Sequence, residues 1–243
     1  MHSDFAVILL FLATVVPLLG RRRIRKLLAT PETTKTDRLV LYASTVASQW
    51  IAAGVIFWRT SSHSISLRNL GIAIPNALLT GAVAVILAAL IFANQFLSLK
   101  RLAARPSEIK GILPQLALKL FPQDGVERVA FLGVVVTVAV CEEFIYRGFA
   151  QRVFEDWSGG YALAAIFGSA AIFAVAHLYQ GRRGLISTFV VGSLFSGVRA
   201  WTGSLLAPVL AHFVADLTAG MLAPSRIRAA LAEASDVATP RKL

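Results

Sequence analysis

Residues 129–150 read VAFLGVVVTVAVCEEFIYRGFA. The stretch is uncharged from Val129 through Cys141, places Glu142, Glu143 and Arg147 together, and returns to small and apolar residues at Gly148, Phe149 and Ala150. A helix needs about 20 residues to cross a hydrocarbon core of about 30 Å. This one reads as helical into Phe154, which makes it a long and tilted span. Ionisable groups at that depth cost several kcal/mol each, so every one of them requires a partner or a function.

Comparable apolar runs occupy 4–20, 39–58, 76–99, 160–178, 185–200 and 204–222. The pattern predicts an all-α fold, a polytopic transmembrane helix bundle of about seven spans. Composition agrees: 56% of the 243 residues are hydrophobic and only 15% charged, against about 25% charged in ordinary soluble domains. The net charge of +11 does not point to nucleic acid, because the basic residues sit mostly in short segments between apolar runs, where they face anionic lipid. The single cysteine, Cys141, excludes an internal disulfide framework.

Asp4 precedes the first apolar run, and Arg21, Arg22, Arg23, Arg25 and Lys26 follow it. That order reverses a signal peptide and predicts a retained first span. The loops at 21–38, 100–128 and 179–184 and the C-terminal tail hold most of the basic residues, including Arg105, Lys110, Arg182, Arg183, Arg226, Arg228, Arg241 and Lys242. Seven spans place all four on the cytoplasmic side, although Arg59, Arg68, Arg147 and Arg152 run against this pattern. Residues 100–128, interrupted by Pro106, Pro114 and Pro122, read as an interfacial amphipathic segment. The organisation is then 1–125, N-terminal spans and interfacial segment; 126–222, a helix core; and 223–243, a polar tail that reads as frayed. Trp50, Trp58, Trp157 and Trp201 read as an interfacial belt. His2 and His63 read as solvated, and Gly148, Gly192, Gly197 and Gly203 as close helix contacts.

The chemistry-bearing residues gather in the core. Glu143 and Arg147, four apart with the acid first, form a favourable pair on one face, and that pair reads first as structural. Glu142 is rotated about 100° from Glu143, which frees it to face another helix. Phe173 and His177 share a face of the fifth span, and His212 and Asp216 share a face of the seventh. Gly159-Gly160 is a turn signal midway between Glu142 and His177, so a hairpin bent there sets the two side chains level. His212 reaches that depth only if its helix is tilted. Phe173 and Phe213 read as packing or pocket wall, and Cys141 as a buried thiol.

The order E-E-x-x-x-R, F-x-x-x-H and H-x-x-x-D on three separate apolar segments resembles the pattern E-E-x-x-x-R, F-x-x-x-H, H-x-x-x-N of the CPBP (CAAX protease and bacteriocin-processing, Abi-type) intramembrane endopeptidases, which include the type II CAAX prenyl endopeptidases. The wording EEFIYRGF at 142–149 and GSLLAPVLAHF at 203–213 is similar to that family, and the likeness covers 126–222. It implies hydrolysis of a peptide bond by activated water. Glu142 would be the general base, His177 would help hold and activate water, and His212 with Asp216 would stabilise the oxyanion. Glu143 and Arg147 would support them, with Phe173 in the pocket wall.

Asp216 departs from the family, which mostly has Asn there. A carboxylate accepts hydrogen bonds where an amide can donate, so Asp216 is protonated, or orients His212, or binds a metal. The resemblance implies no required cofactor, or a divalent metal such as zinc on Glu142, His177, His212 and Asp216; the absence of H-E-x-x-H favours the metal-free form. The implied partners are membrane lipid and a membrane-associated protein or peptide substrate. The Ala- and Arg-rich composition points to a bacterial cell membrane. A non-proteolytic membrane adaptor or bacteriocin-immunity protein on the same fold is the rival reading. A proton-coupled transporter is a third, disfavoured by the lack of an inverted repeat.

Overall fold

Polar caps start the helices where the apolar runs begin. Thr34 and Asp37 form a reciprocal capping box, with Asp37 N donating to Thr34 Oγ1 at 3.1 Å and Thr34 N donating to Asp37 Oδ2 at 2.9 Å. Asn76 accepts from Leu79 N, and Asp124 accepts from Glu127 N, each at 2.9 Å. A computed structural model describes residues 3–104, 109 and 111–238, with side chains through Leu231. His2, Arg105, Pro106, Lys110, Arg241 and Lys242 lie outside the described residues.

Among the described residues every regular element is helical. The order is α1 (Ser3–Ala29), α2 (Lys35–Ser62), α3 (Ala77–Ala103), α4 (Ile112–Leu120), α5 (Gly125–Glu142), a π-helical segment (Glu143–Ala150), α6 (Gln151–Trp157), α7 (Ala162–Ala176), a 3-10 turn (Leu178–Gln180), α8 (Gly181–Thr202) and α9 (Leu206–Ala238). Six helices are long and apolar enough to cross a membrane, including the continuous run Gly125–Trp157. The seventh apolar helix, α7, has 15 residues. At 1.5 Å per residue that is about 22 Å, short of a full crossing. The outward faces carry large apolar side chains such as Leu10, Ile51, Leu78 and Leu90, as lipid contact requires. The chain is a multi-pass integral membrane protein.

The structure differs from the sequence reading at several places. Arg182 and Arg183 lie in the first turn of α8 rather than in a loop. The stretch expected to fray continues α9 to Ala238, because Ala223, Ile227 and Ala230 are buried. Ala223 and Ile227 cluster with Ala117 of α4 and with Leu99 and Leu102 of α3. Trp50 is in mid-helix, and its indole N–H donates to Thr137 Oγ1 at 3.2 Å. Trp58, Trp157 and Trp201 do sit at or near helix ends.

His63 is not simply solvated: its Nε2 lies 3.0 Å from Asp4 Oδ2, which also accepts from Arg59 at 2.7 Å. Arg59, Arg147 and Arg152, three of the four arginines that ran against the positive-inside pattern, are each paired with a carboxylate. A Cβ on Gly148, Gly192 or Gly203 would meet a neighbour within about 3.0–3.2 Å, whereas Gly197 has nothing within 4 Å and is not a close contact.

Helix α2 runs beside α5 and is tied to it along its length. Arg38 donates twice to the buried Glu127 at 3.1 and 2.8 Å. Tyr42 Oη donates to Leu120 O, just ahead of α5, at 2.6 Å, and Phe57 packs on Phe144. These contacts fix the rotation of α2 against the helix that carries the acids.

Candidate active site

The two adjacent carboxylates meet two different imidazoles. Glu142, the last residue of α5, and Glu143, the first of the π-helical segment, diverge as the helix rotation predicts. Glu142 Oε1 accepts from Gln49 Nε2 of α2 at 2.8 Å. Among the described residues its Oε2 has no hydrogen-bond partner, and it lies 4.0 Å from His177 Nε2. His177 caps the C-terminus of α7, and its Nδ1 donates to Phe173 O at 2.8 Å. That bond uses the Nδ1 proton and leaves Nε2, on a neutral ring, as the free acceptor facing Glu142. Two hydrogen bonds of ordinary length to one water oxygen separate their outer atoms by about 4–5 Å. The Glu142–His177 gap is therefore too long for a direct bond and the right size for a shared water. Both side chains retain some exposure, 13% and 16%.

Glu143 is wholly buried and saturated on one oxygen. Its Oε1 accepts from Arg147 Nη1 at 3.0 Å and from His212 Nδ1 at 2.7 Å. Arg147, also wholly buried, lies 4.0 Å above the Phe173 ring and 5.6 Å from that of Phe195, a cation–π arrangement that replaces part of its lost hydration. Gly192 of α8 makes room, since a Cβ there would stand 3.2 Å from both Arg147 Nη2 and Phe173. Phe173 is thus central: its ring centroid lies 4.5 Å from that of His177 and 6.2 Å from that of His212. The two imidazoles flank one aromatic ring, so His212 does reach the depth of His177.

His212 is oriented by Glu143 rather than by Asp216. Asp216 Oδ2 stands 3.6 Å from His212 Nε2, beyond hydrogen-bond range, and its side chain is 39% exposed. It lies on the Nε2 side of the ring, away from the Glu143 bond at Nδ1. Sequence reasoning also missed Gln49. The signal was present, because a lone amide inside the apolar run 39–58 needs a partner in hydrocarbon. Gln151 was missed as well; its amide donates to Ser196 O at 3.0 Å, and Ser196 Oγ pairs with Ser169 Oγ at 2.9 Å, tying α6, α7 and α8 behind the site.

Among the described residues no three His, Cys, Asp or Glu side chains are grouped as metal ligands would be. His212 Nδ1 and Glu143 Oε1 are committed to each other, and Glu142 Oε1 is committed to Gln49. The atoms left uncommitted, Glu142 Oε2, His177 Nε2, His212 Nε2 and Asp216 Oδ2, are the ones that would hold a divalent metal.

Carboxylates and imidazoles lie together among membrane-crossing helices, with one acid–imidazole gap sized for water, and make a candidate acid–base site. Residues 125–218 match the family model described as Type II CAAX prenyl endopeptidase Rce1-like, a family of membrane proteases. The matched segment contains Glu142, His177, His212 and Asp216, and the resemblance drawn from the three motifs holds for it. No curated protein and no solved structure matches the chain.

Proposed function

We propose that the protein is a glutamate-dependent intramembrane endopeptidase, in which Glu142 and His177 activate a water that attacks a peptide carbonyl. The observation that carries this reading is the pair of free atoms, Glu142 Oε2 and His177 Nε2, 4.0 Å apart. Glu142 takes the proton of the water as its oxygen attacks, and later gives that proton to the leaving amine. Glu143 is unsuited to this role, because two donors already bind its Oε1 and its side chain has no exposure to water. His212 is held through Nδ1, so when Nε2 carries a proton it points away from the Glu143 bond and donates to the oxyanion.

The mechanism routes no step through a metal. Its substrate is a membrane-associated peptide, prenylated or not, in a bacterial cell membrane. The test is cleavage, by purified protein in detergent, of a quenched-fluorophore peptide ending in a farnesylated Cys-a-a-X sequence and of its unprenylated counterpart. Wild type cleaves with a chelator present, and Glu142→Gln and His177→Ala do not. Equal cleavage by the variants would overturn the assignment, and an immunity or adaptor phenotype surviving Glu142→Gln would favour the binding-only alternative.

A further inference from the structure

We propose that Gln49, on α2 and outside the matched segment 125–218, is a positioning residue for the reaction. The inference rests on Glu142 being the base. Glu142 lies between the buried Cys141 and Glu143, yet no residue of the matched segment is within bonding distance of its carboxylate, His177 standing at 4.0 Å. The only hydrogen bond given to it among the described residues comes from Gln49 Nε2, at 2.8 Å to Oε1. That bond occupies one oxygen and leaves the other, Oε2, aimed at His177 Nε2.

The chemistry of an amide suits this task. A neutral N–H donor fixes the direction of a carboxylate without supplying a full positive charge, so the acid remains able to accept a proton. A lysine or arginine in the same place would ion-pair with Glu142, as Arg147 does with Glu143, and a full positive charge beside a general base opposes its taking a proton. The protein therefore treats its two adjacent acids differently: a cation fixes the one in the dry interior, and an amide fixes the one that faces the water-sized gap.

Helix α2 is placed to make this donor rigid. The Arg38–Glu127 and Tyr42–Leu120 bonds lock it on one side of Gln49, the adjacent Trp50 is bonded to Thr137, and Phe57 packs on Phe144 on the other side. A donor on a helix pinned at several points holds its partner within a narrow range of angles, which is what a base needs when a misplacement of about 1 Å costs about 100-fold in rate. The N-terminal helices are then part of the catalytic unit rather than only membrane filler.

The experiment compares Gln49→Met, which keeps the length and apolar volume but removes the donor, with Gln49→Lys, which keeps a donor but adds charge. Both are assayed on the farnesylated quenched peptide beside Glu142→Gln, with melting temperatures recorded. The expected result for Met is a kcat lowered about 10- to 100-fold, with KM and melting temperature near wild type. For Lys the loss is at least as large although the contact to Glu142 is retained. A wild-type kcat in either folded variant overturns the inference, and so does a raised KM with kcat unchanged, which would mark Gln49 as a substrate contact.

A readout that needs no substrate accompanies these rates. The infrared carboxylate band assigned to Glu142 by difference against Glu142→Gln shifts in Gln49→Met; an unshifted band overturns the inference. If Glu142→Gln itself cleaves at the wild-type rate, the proposed function fails. If it is inactive and the Gln49 variants are not impaired, only the role of Gln49 falls.

Discussion

Two regions separated by a single peptide bond carry the same chemistry in opposite states. Around Glu143 the interior is dry: carboxylate, guanidinium and imidazole are bound to one another, and the acid and guanidinium have no exposure. Each acid has one oxygen without a hydrogen-bond partner among the described residues, but that of Glu143 is enclosed with no exposure, whereas Glu142 Oε2 faces an imidazole nitrogen at 4.0 Å. The first region is an assembled strut and the second an assembled gap. Burial is common to both acids; what suits Glu142 to the proposed role is a free oxygen facing an imidazole across a water-sized gap.

Substitutions at the two acids give the largest and most distinct effects. Glu142→Gln lowers kcat by about 10²–10⁴-fold, the usual contribution of a general base, and leaves the melting temperature near wild type because Gln49 can still bond the amide oxygen. Glu143→Gln does the reverse in order of importance. It leaves Arg147 as a buried cation without its carboxylate, and breaking such a pair costs about 3–5 kcal/mol, seen as a lowered melting temperature in detergent with activity lost alongside it. If both variants lose stability equally, or both lose only activity, the distinction between strut and gap is wrong.

A smaller effect is expected where the two regions touch. Gly192→Ala pushes a methyl against Arg147 Nη2 and Phe173, each at 3.2 Å from the added carbon. Overpacking of this kind costs about 1–3 kcal/mol, and because Phe173 O holds His177 Nδ1, cleavage falls together with thermal stability. Asp216→Asn is milder, changing cleavage by less than about tenfold, since Glu143 rather than Asp216 orients His212. A larger loss in the Asn variant would give Asp216 a charge-dependent role at the oxyanion.

How far the sequence reached can be judged at individual residues. The membrane spans, the divergence of Glu142 from Glu143 and the level placement of Glu142 and His177 were legible because they follow from helical period, helix rise and a Gly-Gly turn. The π-helical form of 143–150 was not, since no residue in EFIYRGFA marks a wider turn. The Glu143–His212 bond joins residues 69 apart in the chain and depends on the tilt of α9, which periodicity does not contain. Gln49 was visible as a polar residue in an apolar run, but its partner on another helix was not. The helical course beyond Pro224 was hidden for a related reason: the burial of Ala223 and Ile227 is supplied by α4 and α3, not by the composition of the stretch.

The smallest effect lies at the far end of α5. Lys35 donates to Asp124 and the first turn of α5 adds backbone donors, which hold the Asp124 carboxyl below its ordinary value. A carboxylate lowered on folding stabilises the native state above its unfolded pKa, and that contribution fades as pH falls through the native one. Thermal melts should therefore show a slight loss of stability on acidification below the normal carboxylate range, reduced by salt because the pair is exposed. Lys35→Met should shrink that acid-dependent component without altering cleavage.

The gap between Glu142 and His177 is the central feature of the site. An experimental structure fine enough to resolve ordered water should show one oxygen within about 2.6–3.2 Å of both Glu142 Oε2 and His177 Nε2, with Gln49 still bonded to the other carboxylate oxygen. A carboxylate bonded straight to the imidazole, or turned away from it toward lipid, would contradict the account.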